Sequence, residues 1–147
     1  MIRSEYTTDI DRPVREVFSF LVDFTTLPRY DRYVQSAERT SSGQIGVGST
    51  WTHTRVQGRR HIVAPITLLE YEADRRFVMQ SGSQGFDVRS TVAVEPLGGD
   101  GTRIVEVLEM RLSGFVRLFE PMIARQVPKQ GREVHEALKR VLESAAV

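Results

Sequence analysis

His53 is the side chain in this sequence best suited to acid–base work. An imidazole changes charge near neutral pH and can pass a proton to or from a bound oxygen. It alternates with Trp51 and Arg55, so a strand here puts all three on one face. If that face is concave, an imidazole and a guanidinium stand beside an indole in a pocket, where they could polarise a carbonyl or bind a carboxylate. If it is convex, the threonines Thr50, Thr52 and Thr54 line the pocket instead. The bulk of Trp51, costly to leave in water, favours the first arrangement.

Glu106 is the second candidate. It shares a strand face with Ile104, Leu108 and Met110, whereas Arg103, Glu109 and Arg111 fall on the opposite face. A carboxylate on an apolar face needs a partner or a raised pKa. It could pair with Arg55 in a structural ion pair, orient a ligand, or act as a base. Gln126 and Gln130 lie one helical turn apart and could hydrogen-bond a ligand, or mark where an apolar stripe meets water.

Other chemistries find little support. The chain has no cysteine, so disulfides and thiol catalysis are excluded. His61 and His135 stand far from His53 in sequence, and no pair has HxH or HxxxH spacing, so no metal and no other cofactor is expected. Ser41, Ser42 and Ser81 sit in turn-like sequence without a nucleophile elbow. Gly46-Val47-Gly48 lacks the third glycine of a dinucleotide fingerprint, because position 51 is Trp51. Twenty basic residues stand against nineteen acidic ones, so no net field draws in nucleic acid. Eighteen of the basic residues are arginine, which suits anion recognition and also follows from genome base composition.

The elements that position these groups are legible. A chain of 147 residues fits one domain, 1–147, able to bury roughly 70% of its unfolded surface. Residues 2–10 read as a strand. Pro13 suits a first helical turn, Asp11 can cap it, and Val14, Val17, Phe18, Leu21 and Val22 recur at helical spacing. Asp23 to Thr26 breaks that helix, and Leu27-Pro28 opens a short second turn. Strand-like runs follow over 33–40, 49–56, 60–71, 76–81, 86–95 and 102–112. The links are too short for parallel crossovers, so the strands form an antiparallel meander. In the fifth run Phe86, Val88, Ser90, Val92 and Val94 point inward. Phe115, Leu118, Phe119, Met122, Ile123, Gln126, Gln130, Val134, Leu138, Val141 and Leu142 then fall on one broad stripe. A helix from Pro121 to Ser144 would span roughly 36 Å, and Pro128 inside it should kink or split it.

Several phrases resemble a known family. RPVREVFSFLVDFTTLPRYDRYV is similar to the opening of the polyketide cyclase/dehydrase branch of the START and birch-pollen-allergen-like superfamily. Gly46-Val47-Gly48-Ser49 with Trp51, Leu69-Glu70-Tyr71 with Arg75-Arg76-Phe77, Gly101-Thr102-Arg103, and Leu138 to Glu143 resemble its later strands and final helix. The resemblance implies an α+β helix-grip fold. In that fold a seven-stranded antiparallel curved sheet wraps a long C-terminal helix, with two short helices between strands one and two. Relatives often carry tryptophan where this chain has Tyr30, and Asp31-Arg32 replaces a small or proline-containing turn. The resemblance puts Phe24, Leu27 and Tyr30 near a cavity mouth.

The expected function is binding of a small hydrophobic molecule, such as a lipid, polyketide or aromatic metabolite, between sheet and helix. Its lining would comprise the mouth residues, Trp51, His53 and Arg55. Phe77, Met79, Phe86, Val88, Ser90, Glu106, Leu108 and Met110 would complete the sheet side. Phe119, Met122, Gln126 and Gln130 would line it from the helix, the methionines giving a pliable surface. The alternative is a metal-independent cyclase/dehydratase, with His53 as general acid or base and Glu106 or Tyr30 orienting the substrate. A third reading is an interaction module with a filled interior, using the sheet's outer face or edge in a homodimer. No apolar run is long enough to span a membrane, the start lacks a signal peptide's apolar core, and a cytoplasmic location is expected.

Overall fold

The computed structural model describes residues 1–144. Strand β1 (Ile2–Ile10) alternates buried and exposed side chains, as a strand with one wet face must. Helix α1 (Val14–Val22) buries Val17, Phe18, Leu21 and Val22. Pro13 is its N-cap, extended at ψ 148°, and no side chain caps the helix; the expected Asp11 cap does not form. The backbone N–H of Asp11 instead donates to Glu143 at 2.9 Å, which ties that corner to the C-terminal helix. Asp23 ends α1 and caps a 3-10 turn (Phe24–Arg29), accepting from the Thr25 N–H at 3.1 Å.

The meander follows as β2 (Val34–Arg39), β3 (Thr50–Gln57), β4 (Arg60–Glu72), β5 (Arg76–Ser83), β6 (Phe86–Leu97) and β7 (Gly101–Leu112). All pairs are antiparallel, in the order β1-β7-β6-β5-β4-β3-β2. The first two strands are therefore the two edges. The α1 segment must cross the sheet between them, and this crossing closes one end of the concave face. A register shift between Leu68 and Glu70 changes the phase of β4. Ala64, Ile66 and Leu68 face inward before it, and Tyr71 faces inward after it, edge-on to Phe18 at 5.7 Å. Strand β5 runs to Ser83 because Gly82 and Ser83 still pair with Asp87 and Phe86, so the hairpin turn is shorter than the expected 81–85.

A second 3-10 turn (Gly114–Phe119) leads into α2 (Glu120–Ser144). The helix runs unbroken through Pro128, so the expected split is absent. Leu138 and Leu142 enter the main core with Phe18, Phe77, Ile104 and Trp51, each such side chain contributing roughly 2 kcal/mol on burial. The first part of the predicted stripe behaves differently. Phe115, Leu118 and Phe119 are exposed because they lie in the 3-10 turn and off the face that α2 gives to the sheet, and Met122 is exposed because α2 turns its neighbours Ile123 and Val127 inward instead. This architecture is the helix-grip arrangement, with one curved antiparallel sheet holding one long helix.

Candidate functional site

Between the concave face, α2 and the 24–33 segment lies a cavity of about 330 Å³. Its walls are mostly apolar, with Phe24, Leu27, Phe77, Met79 and Ile104 in or against the main core, and Phe86, Leu108 and Met110 against a smaller cluster of Ile2, Leu112 and Val127. That volume is at the lower end of the range for small-molecule sites. Gln57 and Gln126 are lining residues that are also exposed, and they mark the mouth.

Two polar stations interrupt the apolar walls. The first is centred on Glu106. The register sets Glu106 opposite Val92 on β6 and Tyr6 on β1, with Ser90 its diagonal neighbour on the same face. The Ser90 hydroxyl donates to Glu106 Oε2 at 2.5 Å. From the helix side, His135 Nε2 meets Glu106 Oε1 at 2.7 Å, and Thr8 Oγ1 lies 2.8 Å from His135 Nδ1. Tyr6 stacks on His135 at 5.0 Å between centroids, and its hydroxyl donates to the Val127 carbonyl at 2.9 Å. Gly131 makes this possible, since a β-carbon there would overlap the Tyr6 ring and hydroxyl. Burial pushes the Glu106 carboxyl up. The His135 hydrogen bond and charge, with the Ser90 hydroxyl, outweigh that and hold it below the usual carboxylate range. Glu106 is thus a fixed anion, its side chain 23% exposed where it faces the cavity.

The second station is nearer the mouth. Asp31 Oδ2 pairs with Arg55 at 3.3 Å, and Asp31 Oδ1 accepts the Tyr33 N–H at 3.0 Å. His53 is buried, with Nε2 3.3 Å from Ser81 Oγ and Nδ1 without a partner among the described residues. Burial, aided by the Arg55 charge, lowers its pKa to about 4. Tyr30 is buried with its ring tilted against Phe20 at 5.8 Å, and burial together with Glu106 and Asp31 pushes its phenol pKa up.

The sequence profile described as "Polyketide cyclase / dehydrase and lipid transport" matches residues 1–143. The chain belongs to this family. Solved structures agree on the fold. A protein from Thermus thermophilus superposes with a TM-score of 0.81 at 19% identity, covering 99% of each chain. A START superfamily protein from Mycobacterium smegmatis gives 0.82 at 14%, covering 97% of each. The Zhui aromatase/cyclase from Streptomyces gives 0.68 at 14%, covering 99% of this chain and 98% of that one. No curated protein is significantly similar in sequence.

Within this polyketide cyclase/dehydrase domain the anticipated residues divide into two groups. Phe24, Leu27 and Tyr30, expected at the mouth, line the cavity, Phe24 and Tyr30 from buried positions, as do His53, Arg55, Phe77, Met79, Phe86, Val88, Ser90, Glu106, Leu108, Met110, Gln126 and Gln130. The His53 face of β3 is therefore concave. Trp51, on that face, does not reach the cavity. It is fully buried, edge-on to Phe24 at 4.8 Å with Arg39 over its ring, and serves the core. Phe119 and Met122 stand outside, for the reason given above. Arg55 pairs with Asp31, not with Glu106, because β3 and β7 are separated by three strands. His135 is a site residue that the sequence reading misses. Its signal is present, since it sits three and seven residues before Leu138 and Leu142 on the buried stripe. Tyr6 and Gly131 carry no such signal, because their contact joins positions far apart in sequence.

The buried neutral His53 makes the domain acid-sensitive. Its folded pKa lies below the ordinary 6.5, so the unfolded chain binds the extra proton between pH 6.5 and 4. Its stabilising contribution is complete above 6.5 and is lost on acidification through that window, by about 3 kcal/mol at most. Urea unfolding at a series of pH values should show this slope, and His53→Gln should flatten it between pH 6.5 and 4. Glu106 contributes stability present above pH 4.5 and lost below it, so the two effects overlap only near pH 4 to 4.5.

Proposed function

We propose that this protein binds a small, largely apolar molecule whose hydroxyl or amine donates a hydrogen bond to Glu106. The observation that carries the reading is the apolar cavity of about 330 Å³ with an anionic, pre-oriented acceptor exposed in its wall. His135 and Ser90 fix the carboxylate in place, so little ordering remains to oppose binding. The Arg55–Asp31 pair and Tyr33 form a polar collar at the other end, suited to a ligand's oxygenated tail. Hydroxylated lipids, polyketide-derived rings and phenolic metabolites share this chemistry.

The two proton carriers anticipated from the sequence, His53 and Glu106, favour binding over turnover. A general acid or base works best with a pKa near the operating pH. Glu106 is held below the carboxylate range and His53 at about 4, so neither is poised for proton transfer at neutral pH. Native mass spectrometry of protein purified from its own host is the test. A bound mass removed by organic solvent, and absent from a Glu106→Ala variant, supports the reading. A protein that carries no small molecule and takes up none from a host lipid and metabolite extract argues against it.

A further inference from the structure

We propose that the 3-10 turn Gly114–Phe119 and the first turn of α2 dock on an anionic lipid bilayer. Phe115 and Leu118 are 74% and 73% exposed, and Met122 and Phe119 are 53% and 44% exposed. Among the described residues the other exposed large apolar side chains, Met1, Val47 and Val63, are scattered singly through the sequence. Four within eight residues form a patch, which marks an interaction site more often than chance. The patch is held, not frayed. Val116 turns under it to pack against the buried cluster of Ile2, Leu112 and Val127, and the Ser113 N–H donates to the Gly85 carbonyl at 2.9 Å. A β-carbon at Gly85 would collide with the Ser113 carbonyl and Val116, so the β5–β6 hairpin clasps the turn closely. The Phe115 and Phe119 rings brace each other edge-on at 5.7 Å.

Charge selects the partner. From 111 to 129 the chain carries Arg111, Arg117, Arg125 and Lys129 against one acid, Glu120, although the whole chain has a net charge of only +1. All four cations are exposed, and none is in an ion pair among the described residues. Exposed apolar tips with exposed cations close by in the chain match the acyl boundary and headgroups of an anionic membrane surface. A second copy of this chain is a poorer occupant, because a two-fold contact through the patch sets the same arginines near one another. No described helix is long and apolar enough to cross a membrane, so the docking is peripheral. It also has a consequence for the cavity. Met122 lies one turn before Gln126 at the mouth, and Ile123 lines the cavity itself, so docking brings the mouth to the bilayer surface. The surface stands on its own observations and does not depend on what the cavity holds.

Co-sedimentation of the full chain with phosphatidylcholine vesicles, with and without phosphatidylglycerol, tests it. The wild type should bind the anionic vesicles at least about tenfold more tightly than the neutral ones, and salt should weaken that binding. Leu118→Ser with Phe119→Ser should lower it about tenfold or more while leaving the thermal melt unchanged, since both side chains are exposed. Arg117→Gln with Arg125→Gln should weaken it at low salt and flatten its salt dependence. A Phe115→Trp variant should show a blue-shifted emission on anionic vesicles, read against the buried Trp51. The proposal is overturned if neither vesicle binds or if the double serine variant binds as well as wild type. It is overturned equally if the wild type forms a dimer that this variant dissolves. Cavity binding of anilinonaphthalene sulfonate, read on the same proteins, separates the two proposals. A protein that takes the dye but no vesicles loses only the docking, and one that takes vesicles but no cavity ligand loses only the binding function.

Discussion

Replacing Gly131 by alanine should lower the unfolding free energy by about 3 kcal/mol, the upper part of the range for overpacking a tight core. The added methyl group occupies the space of the Tyr6 ring carbon and hydroxyl, so it cannot be absorbed by a small rotation. Tyr6 must leave, and it takes with it the hydrogen bond to the Val127 carbonyl and the stacking on His135. For a chain of this length the loss should appear as a melting temperature lower by roughly 6–12 °C. Alanine is intrinsically the better helix former by about 1 kcal/mol, so a loss of this size has to come from the contact. The Tyr6→Ala background isolates it. There, Gly131→Ala should be neutral or stabilising. An equal penalty in both backgrounds would show that the clash is not the cause.

The second large effect concerns the charge in the cavity wall. His135→Leu removes the partner of Glu106 Oε1 and leaves the carboxylate with Ser90 alone. Stranding a buried charge costs about 3–5 kcal/mol. Glu106 retains some access to the cavity, so about 2–3 kcal/mol is expected here. The pH dependence identifies the mechanism. In the wild type, Glu106 adds stability above pH 4.5 and loses it on acidification, because its folded pKa is depressed. In the variant burial dominates, its folded pKa moves above the unfolded value, and the sign inverts. The variant's deficit should therefore shrink as the pH falls from neutral towards 4.5. A second change, Glu106→Gln, should restore most of the stability of His135→Leu at neutral pH. If the deficit is independent of pH and not relieved by Glu106→Gln, the pair is a packing contact and Glu106 is not a held anion.

The fold is largely legible in the residues because its signals are local. Alternation in the strands, Gly-containing turns at short spacing and the helical run after Pro13 each depend on neighbours within a few positions. The inward faces of β6 and β7, and so Ser90 and Glu106, follow from a period of two. The site itself is less local. Arg55 finds Asp31 because β2 is the neighbour of β3 in the sheet, while β7 lies on the far side. His135 lies 29 residues from Glu106, and its role depends on the side of β1 over which α2 passes. Tyr6 and Gly131 fit each other across 125 residues, and no local pattern specifies such a contact. Pro128 shows the opposite error, in which a strong local rule is overridden. The helix continues through it, with a Val127 carbonyl that gains the Tyr6 hydroxyl as a further donor. Periodicity puts Phe119 and Met122 on the buried stripe, but Phe119 lies in a 3-10 turn of different period, and α2 turns Ile123 and Val127 inward and leaves Met122 outside.

The central claim is that the space between sheet and helix is a binding site for a small apolar molecule. Equilibrium titration with anilinonaphthalene sulfonate tests it most directly, performed on Leu118→Ser, Phe119→Ser protein so that the surface patch contributes nothing. Val88 lines the cavity from near the start of β6, paired with Ser81 and Met110 across the sheet. Val88→Trp should fill that space without disturbing the outer face. Saturable binding of one dye per chain, weakened at least about tenfold by Val88→Trp with the fold retained, is the predicted result. Absence of saturable binding, or binding that Val88→Trp leaves unchanged, would contradict it.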